Sequence, residues 1–294
     1  MGPRTLFNLS PSHPIGEKLA SDIGASLGEF DTRLFPDGES YLRILTDITD
    51  QDVIIFCDLY QPNEKLFPLL TFAHNARELG AKRTLLVTPY LPYMRQDKRF
   101  NAGESITSAH FAKHLSLAFD GLVTVDPHLH RYPSLDCIYS LEGMVTTARS
   151  VIVEYLKTLD EPLVLIGPDS ESEQWVSTIA ADASLPYEIL LKERSGDYDV
   201  EVSTPHLSQW KEKRPVLVDD IISSGRTMLK TLEHLESAEM PKALIIGVHG
   251  IFAGDAYNLL ADKAEVITCN SIAHTSNKLD LTYTLAEKIN HYLK

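Results

Sequence analysis

Seven short and almost uninterrupted apolar runs, separated by longer amphipathic segments, constrain the fold of this chain more than any other feature. Runs of this kind are typical of strands that are buried on both faces, as in a parallel sheet covered by helices. The intervening segments carry apolar residues at helical spacing, and one of them stops at Gly80. This alternation predicts βαβ units and an α/β fold. The predicted strands cover 53–59, 84–91, 121–127, 162–169, 215–222, 243–252 and 265–270, and the predicted helices cover 65–79, 104–118, 173–183, 225–238 and 253–263.

The predicted strands fall into two groups, which indicates two α/β halves. Each half ends with a similar arrangement of strand, Asp, turn and helix. A chain of 294 residues is long enough for two ordinary domains. We place the boundary near 140–150 and predict domains over 1–145 and 146–294, with a last helix over 285–294 that could pack on either half.

Charge and composition exclude several classes of protein. The formal net charge of −14 makes general nucleic-acid binding a poor hypothesis, because neutralising phosphates requires Lys and Arg. No apolar run approaches the length that spans a bilayer, and the first residues lack the apolar core of a signal peptide. The three cysteines form no CxxC pair, so a disulfide framework or a zinc site has no support. These features predict a cytoplasmic protein that contacts neither membrane nor nucleic acid.

The stretch VLVDDIISSGRT, residues 216–227, is the most informative local pattern. An apolar strand runs into Asp219 and Asp220, and a turn of small residues then leads into a helix. Ligands of open α/β sheets collect at the carboxyl ends of strands, where the two carboxylates could reach sugar hydroxyls or a metal. The turn and the helix N-terminus could cradle a phosphate with backbone N–H groups. The plainer interpretation is an Asp-rich turn with a Ser helix cap.

That stretch resembles the phosphoribosyl-pyrophosphate binding motif of the type I phosphoribosyltransferase fold. Further segments resemble, in the same order, those of the ribose-phosphate diphosphokinase family, also called phosphoribosyl-pyrophosphate synthetase, and in particular its shorter archaeal-type class. The resemblance runs from about residue 30 to residue 280 and implies two phosphoribosyltransferase-like domains, each with a mainly parallel sheet. The other matching segments are FPDGESYLRI (35–44), PYLPYMRQDKRF (89–100), GESITSAHFAKHL (103–115), VTVDPHLH (123–130), LLKERSGD (190–197) and VHGIFAGDA (248–256).

The resemblance implies an activity and a role for each matching residue. The family transfers the β,γ-diphosphoryl group of ATP to the C1 hydroxyl of ribose 5-phosphate with Mg²⁺, and AMP leaves. The early loop serves the adenine site of a neighbouring subunit, which implies a homodimer or a higher homo-oligomer. Segment 190–197 corresponds to a mobile catalytic loop. The implied residues are Lys192, Arg194 and His128 for catalysis; Phe35, Asp37, Glu39, Arg95, Gln96, Asp97 and Lys98 for ATP; Asp219, Asp220, Ser223, Ser224, Gly225, Arg226 and Thr227 for ribose 5-phosphate; and His128 and Asp169 for the metal.

The chain departs from the family pattern at two positions of the phosphate turn. Ser223 replaces a third Asp, and Arg226 replaces a Gly. Arg226 could point to solvent or meet an acceptor whose 5-phosphate is extended, such as ADP-ribose. Segment 46–53 lacks the basic residue associated with allosteric phosphate, so we expect no activation by phosphate.

Competing interpretations remain open on the sequence alone. A phosphoribosyltransferase would need no ATP segment like 95–98, and a non-catalytic regulatory subunit would be expected to lack His128 or the loop cations. His128 and His130 suggest a zinc pair but lack further ligands, and His110 and His114 read as residues on one face of a helix. No GxxxxGK[ST] or GxGxxG pattern occurs, which argues against a P-loop kinase or a dinucleotide site.

Overall fold

In the computed structural model, the chain divides into two compact units. The first contains Met1–Thr147, Ser271–Ala273 and Leu281–Lys294, and the second contains Ala148–Asn270 and His274–Asp280. The structure describes residues 2–129, 131–168, 172–195, 199–203 and 207–294, and for residues 174, 191–195 and 199–203 it describes the backbone alone. Within these ranges, no helix combines the length and the apolar character needed to cross a membrane.

The first unit is built on a parallel sheet of six strands. Its strands are β1 (Arg4–Asn8), β2 (Ser26–Leu27), β3 (Phe30–Leu34), β4 (Ser40–Ile44), β5 (Asp52–Phe56), β6 (Arg83–Val87), β7 (Gly121–Val125) and β8 (Glu142–Thr146), and its helices are α1 (Gly16–Asp22), α2 (Asn63–Glu78), α3 (Thr107–Ala118) and, from the end of the chain, α8 (Thr282–Tyr292). The order is β2-β1-β5-β6-β7-β8, and β3 and β4 form a separate antiparallel hairpin. Strands β6 and β7 are neighbours, so the loops that follow them leave the same edge of the sheet.

The second unit repeats this plan. It contains α4 (Arg149–Thr158), α5 (Glu173–Ala183), α6 (Arg226–Ser237) and α7 (Ala256–Lys263), and its strands are β9 (Leu163–Gly167), β10 (Tyr187–Ile189), β11 (Leu191–Ser195), β12 (Asp199–Ser203), β13 (Arg214–Ile222), β14 (Leu244–Gly250), β15 (Glu265–Cys269) and β16 (Asn277–Leu279). The parallel sheet has the order β10-β9-β13-β14-β15-β16, and β11 pairs with β12 in an antiparallel hairpin. From β9, the strand order continues to β10 on one side and to β13 and the later strands on the other. Open α/β sheets bind ligands at such a switch point, which here lies between β9 and β13.

The predicted α/β class with parallel sheets is confirmed, and two local expectations are corrected. Strand β1 is absent from the seven predicted runs, although its first four residues are buried between β2 and β5. Strand β13 ends at Ile222, as the predicted strand 215–222 does, and its pairing with β14 extends to Gly250. Most of the segment predicted as a catalytic loop is strand β11, which is paired along its length with β12.

A buried histidine should make the first unit less stable in acid. His13 is 5% exposed, its ring lies 5.2 Å from that of Phe56, and within the described chain its Nε2 atom has no hydrogen-bond partner. Burial lowers the pKa of His13, although the negative charge of Asp58 opposes this. The neutral ring is therefore favoured in the folded state, while the unfolded state takes up the proton near the ordinary pKa of about 6.5.

We expect the free energy of unfolding to fall as the pH drops from 7.5 through 6.5, because the unfolded chain then binds the additional proton. Urea unfolding across this range, compared between the wild type and His13→Gln, measures the contribution of His13. The variant should show a shallower dependence on pH. His74→Gln is the control, because His74 is exposed on α2 and its loss should leave the slope unchanged. Equal slopes for the wild type and His13→Gln would contradict the assignment.

Candidate active site

The loop between β6 and α3 presents Arg95 and Gln96 to solvent. Tyr93 adopts a left-handed backbone conformation with φ of 66°, and its carbonyl accepts a hydrogen bond from the backbone N–H of Gln96 at 2.9 Å. The carbonyl of Gln96 in turn accepts one from the N–H of Ser108 at the start of α3, at 3.3 Å. Met94 is buried, whereas Arg95 and Gln96 are exposed. The turn therefore holds the backbone of both residues while leaving their side chains available to a ligand.

Asp97 and Lys98, the next two residues, have different environments. The carboxylate of Asp97 is 2% exposed and accepts two hydrogen bonds from Nη1 of Arg131, both at 2.9 Å. Lys98 is exposed, with its Nζ atom 4.9 Å from the centre of the Phe100 ring. Lys98 is thus open to a ligand, while the Asp97 carboxylate is engaged within the protein.

His128 follows β7 at the same edge of the sheet. Asp126 has a φ of 34°, which is uncommon for a residue with a side chain, and its carbonyl accepts a hydrogen bond from the N–H of His128 at 2.9 Å. The tight turn leaves His128 half-buried. His130, which together with His128 suggested a zinc pair in the sequence, lies outside the described residues. His110 and His114 are exposed residues of α3, as predicted.

Phe35, Asp37 and Glu39 form the exposed loop that joins β3 to β4. The loop is closed by a hydrogen bond from the N–H of Phe35 to the carbonyl of Glu39 at 2.7 Å, and Oδ1 of Asp37 accepts one from the N–H of Glu39 at 3.2 Å. The guanidinium of Arg33 lies 4.7 Å from the ring centre of Phe35 and 4.6 Å from that of Tyr41. Within the described chain, no hydrogen bond or ion pair connects this loop to residues 95–98.

In the second unit, β13 delivers the predicted phosphate turn to the switch point of the sheet. Asp219 and Asp220 are half-buried near the carboxyl end of the strand, and Ser224, Arg226 and Thr227 are exposed. Gly225 has a φ of 68° and immediately precedes α6. A Cβ atom at this position would lie 3.1 Å from Cδ1 of Leu260, so both the backbone conformation and the available space favour glycine. The first N–H groups of α6 lack acceptors within the helix and are available to an anion.

The segment after β14 is joined to the start of this turn by backbone hydrogen bonds. The N–H groups of Ile251 and Phe252 both donate to the carbonyl of Ile222 at 3.0 Å, and the N–H of Ala253 donates to the carbonyl of Ser223 at 3.0 Å. These bonds occupy the carbonyls at the start of the turn. The matching segment 248–256 therefore has a structural role, which its sequence alone did not reveal.

The predicted catalytic cations and metal ligands are described only in part. Lys192 and Arg194 lie two positions apart on β11, opposite Val202 and Val200. Asp169 lies outside the described residues. Within the described chain, no group of three or more His, Cys, Asp or Glu side chains converges on a metal position. Mg²⁺ takes few protein oxygens beside phosphate oxygens and water, so the half-buried carboxylates of Asp219 and Asp220 fit an ion that is held mainly by substrate.

Two residues that the sequence did not single out help to shape the first-unit loops. Arg131 connects the loop after β7 to the loop after β6 through Asp97. The carboxylate of Glu104 accepts hydrogen bonds from the N–H groups of Phe100 and Asn101 at 2.8 and 3.0 Å and from the Asn101 side chain at 2.6 Å. These bonds lower the pKa of Glu104 and keep it charged.

Comparison with known families covers most of the chain. Residues 4–118 match the model of the N-terminal domain of ribose phosphate pyrophosphokinase, and residues 134–282 match that of the phosphoribosyl transferase domain. The ribose-phosphate pyrophosphokinase of Saccharolobus solfataricus is 30% identical over 86% of this chain and 87% of its own length. That of Sulfurisphaera tokodaii is 29% identical over 94% of this chain and 96% of its own length.

A solved structure agrees with the fold. The crystal structure of phosphoribosylpyrophosphate synthetase from Mycobacterium smegmatis matches with a TM-score of 0.84 and 23% identity, over 99% of both chains. Together with the two family models, this match confirms the predicted type I phosphoribosyltransferase-like architecture.

Proposed function

The chain belongs to the ribose-phosphate pyrophosphokinase family, and we propose that it transfers the β,γ-diphosphoryl group of ATP to the C1 hydroxyl of ribose 5-phosphate. The products are phosphoribosyl pyrophosphate and AMP. The observation that carries this proposal is the turn 223–227, where Gly225 in a left-handed conformation precedes the start of α6 at the carboxyl end of β13, a few residues after the carboxylates of Asp219 and Asp220.

The second unit binds ribose 5-phosphate in this proposal. Asp219 and Asp220 accept hydrogen bonds from the ribose hydroxyls, since ionised carboxylates are acceptors only. The backbone N–H groups of the turn and of α6, with the hydroxyls of Ser223, Ser224 and Thr227, hold the 5-phosphate. Arg226, the exposed first residue of α6, adds a positive charge beside that phosphate.

The first unit binds ATP. Arg95 can grip phosphate oxygens with its planar fork, and the neighbouring Gln96 and Lys98 are exposed beside it. Phe35, Asp37 and Glu39 serve the adenine site of a second copy of the chain, which makes the active protein a homodimer or a larger homo-oligomer. The loop that carries them is exposed, and its backbone hydrogen bonds hold its shape.

Diphosphoryl transfer depends mostly on positioning and on stabilising charge. Lys192 and Arg194 neutralise the charge that develops on the transferring group. His128 and Asp169 would help to hold a hydrated Mg²⁺ beside the phosphates. This ion supplies further neutralisation of the phosphate oxygens when it is bound.

The identity of the nucleotide product tests the reaction class. The protein is incubated with ATP, Mg²⁺ and ribose 5-phosphate, and nucleotides are separated by chromatography. We expect AMP in a 1:1 ratio with a pentose product that is heavier by one diphosphoryl group, and no AMP without the acceptor. ADP as the product would indicate transfer of a single phosphoryl group and contradict the proposal. A chain that released neither nucleotide would fit the regulatory-subunit alternative instead.

A further inference from the structure

Arg131 is anchored by an ion pair that leaves most of its guanidinium unused. Only Nη1 contacts the two carboxylate oxygens of Asp97, and within the described chain Nε and Nη2 have no hydrogen-bond partner. The Asp97 side chain is 2% exposed, whereas that of Arg131 is 44% exposed. The buried carboxylate of Asp97 therefore anchors a cation whose side chain remains partly exposed.

The surroundings of Arg131 are cationic and aromatic. The ring of Phe100 is 59% exposed and lies 5.8 Å from the Arg131 guanidinium and 4.9 Å from Nζ of Lys98. The hydroxyl of Tyr132, the residue after Arg131, donates to the carbonyl of Asp97 at 3.2 Å, so a second bond ties the two loops together. Glu104 holds the backbone of Phe100 in place.

This local positive charge contrasts with the negative charge of the chain as a whole. The formal net charge is −14, yet Arg95, Lys98 and Arg99 lie within five residues, and Arg131 is connected to the same loop. An anionic ligand in this region meets a local positive field against a negative background. Arg131 is preorganised for such a ligand, because its position is already set by Asp97 and does not have to be acquired on binding.

We propose that Arg131 binds the β- and γ-phosphates of ATP and that Asp97 is its positioning residue, not itself a ligand of the nucleotide. This inference rests on the proposed function, because it takes ATP as the ligand of the first unit. It reassigns Asp97, which was expected to contact ATP: its carboxylate would have to leave Arg131 to do so. The anchored arginine contributes planar, charge-assisted hydrogen bonds to phosphate oxygens that a mobile lysine makes less well.

The test compares binding of a triphosphate with binding of AMP. In the proposed reaction, the bond between the β-phosphorus and its bridging oxygen to the α-phosphorus breaks, so α,β-methylene-ATP cannot react. Its affinity and that of AMP are measured by calorimetry on the full chain with Mg²⁺. We expect Arg131→Ala to lower the affinity for the analogue roughly ten- to hundredfold and to change the affinity for AMP by less than about twofold. Arg131→Lys and Asp97→Asn should show smaller losses with the same selectivity.

Arg77→Ala is the matched control. Arg77 is 34% exposed and pairs with Asp120 at 2.7 Å, but that pair lies at the opposite, amino edge of the sheet, before β7. Its loss should change neither affinity. If Arg131→Ala lowers the affinities for the analogue and for AMP equally, or lowers neither, the inference is wrong. If Arg131→Ala does not fold, Arg131→Lys and Asp97→Asn decide by the same criterion. A wild type that binds no analogue at all would instead overturn ATP as the ligand, and with it the proposed function.

Discussion

Gly225→Val should raise the KM for ribose 5-phosphate by roughly ten- to hundredfold, which corresponds to the loss of one charge-assisted hydrogen bond or more. Gly225 occupies a φ of 68°, a conformation that β-branched residues very rarely adopt. The new side chain would also start 3.1 Å from Cδ1 of Leu260. Relief of either strain shifts the start of α6 and its N–H groups away from the phosphate. Steady-state kinetics with varied ribose 5-phosphate at saturating ATP measure the effect.

A loss of stability alone does not explain such a result, and Gly24→Val separates the two causes. Gly24 has a φ of 64°, no atom within 4 Å of a Cβ at that position, and a place in the first unit after α1. Both variants should lose about 1–3 kcal/mol of stability from backbone strain. Only Gly225→Val should lose affinity for ribose 5-phosphate. An unchanged KM for ribose 5-phosphate in folded Gly225→Val would contradict the assignment of the turn to the phosphate site.

Lys192→Ala should lower kcat by about 10²- to 10³-fold, the usual cost of removing one group that stabilises developing charge. The KM values should change much less, because the group acts on the transferring diphosphoryl and little on the bound substrates. The variant should fold normally, since β11 pairs with β12 through its backbone and this substitution leaves the backbone intact. Single-turnover measurements of AMP formation separate the chemical step from product release.

Lys211→Ala provides the comparison for Lys192. Lys211 belongs to the same unit and pairs with the exposed Glu239 at 2.9 Å, an interaction of little energetic value. Its removal should leave kcat within about twofold. A Lys192→Ala variant that kept more than about a tenth of wild-type activity would contradict the catalytic role of Lys192.

The sequence predicted the elements whose pattern is local. Strands such as β5, β7 and β9 are buried along their whole length and carry apolar residues at every or nearly every position, so their runs are visible without a structure. The turn at Gly225 could also be predicted, because it consists of small residues between a predicted strand and a predicted helix. Strand β1 was missed because its five residues include the polar Arg4, Thr5 and Asn8 and therefore do not form an apolar run.

The Asp97–Arg131 pair shows why part of the candidate site could not be predicted from the sequence. The two residues are 34 positions apart and meet because β6 and β7 are adjacent in the sheet. Sequence reasoning grouped Asp97 with its neighbours Arg95 and Gln96 as a ligand of ATP, because all three lie in one matching segment. Only the three-dimensional structure distinguishes the exposed side chains from the buried one that holds a partner.

The acceptor is the central claim, and a parallel comparison of two acceptors tests it most directly. The rate of AMP release from ATP with Mg²⁺ is measured at varied ribose 5-phosphate and at varied ADP-ribose, and each product is identified by its mass. We predict that kcat/KM is higher for ribose 5-phosphate and that the product is phosphoribosyl pyrophosphate. Preferential turnover of ADP-ribose would contradict this account of the acceptor, retain the diphosphoryl transfer, and assign Arg226 to the extended phosphate.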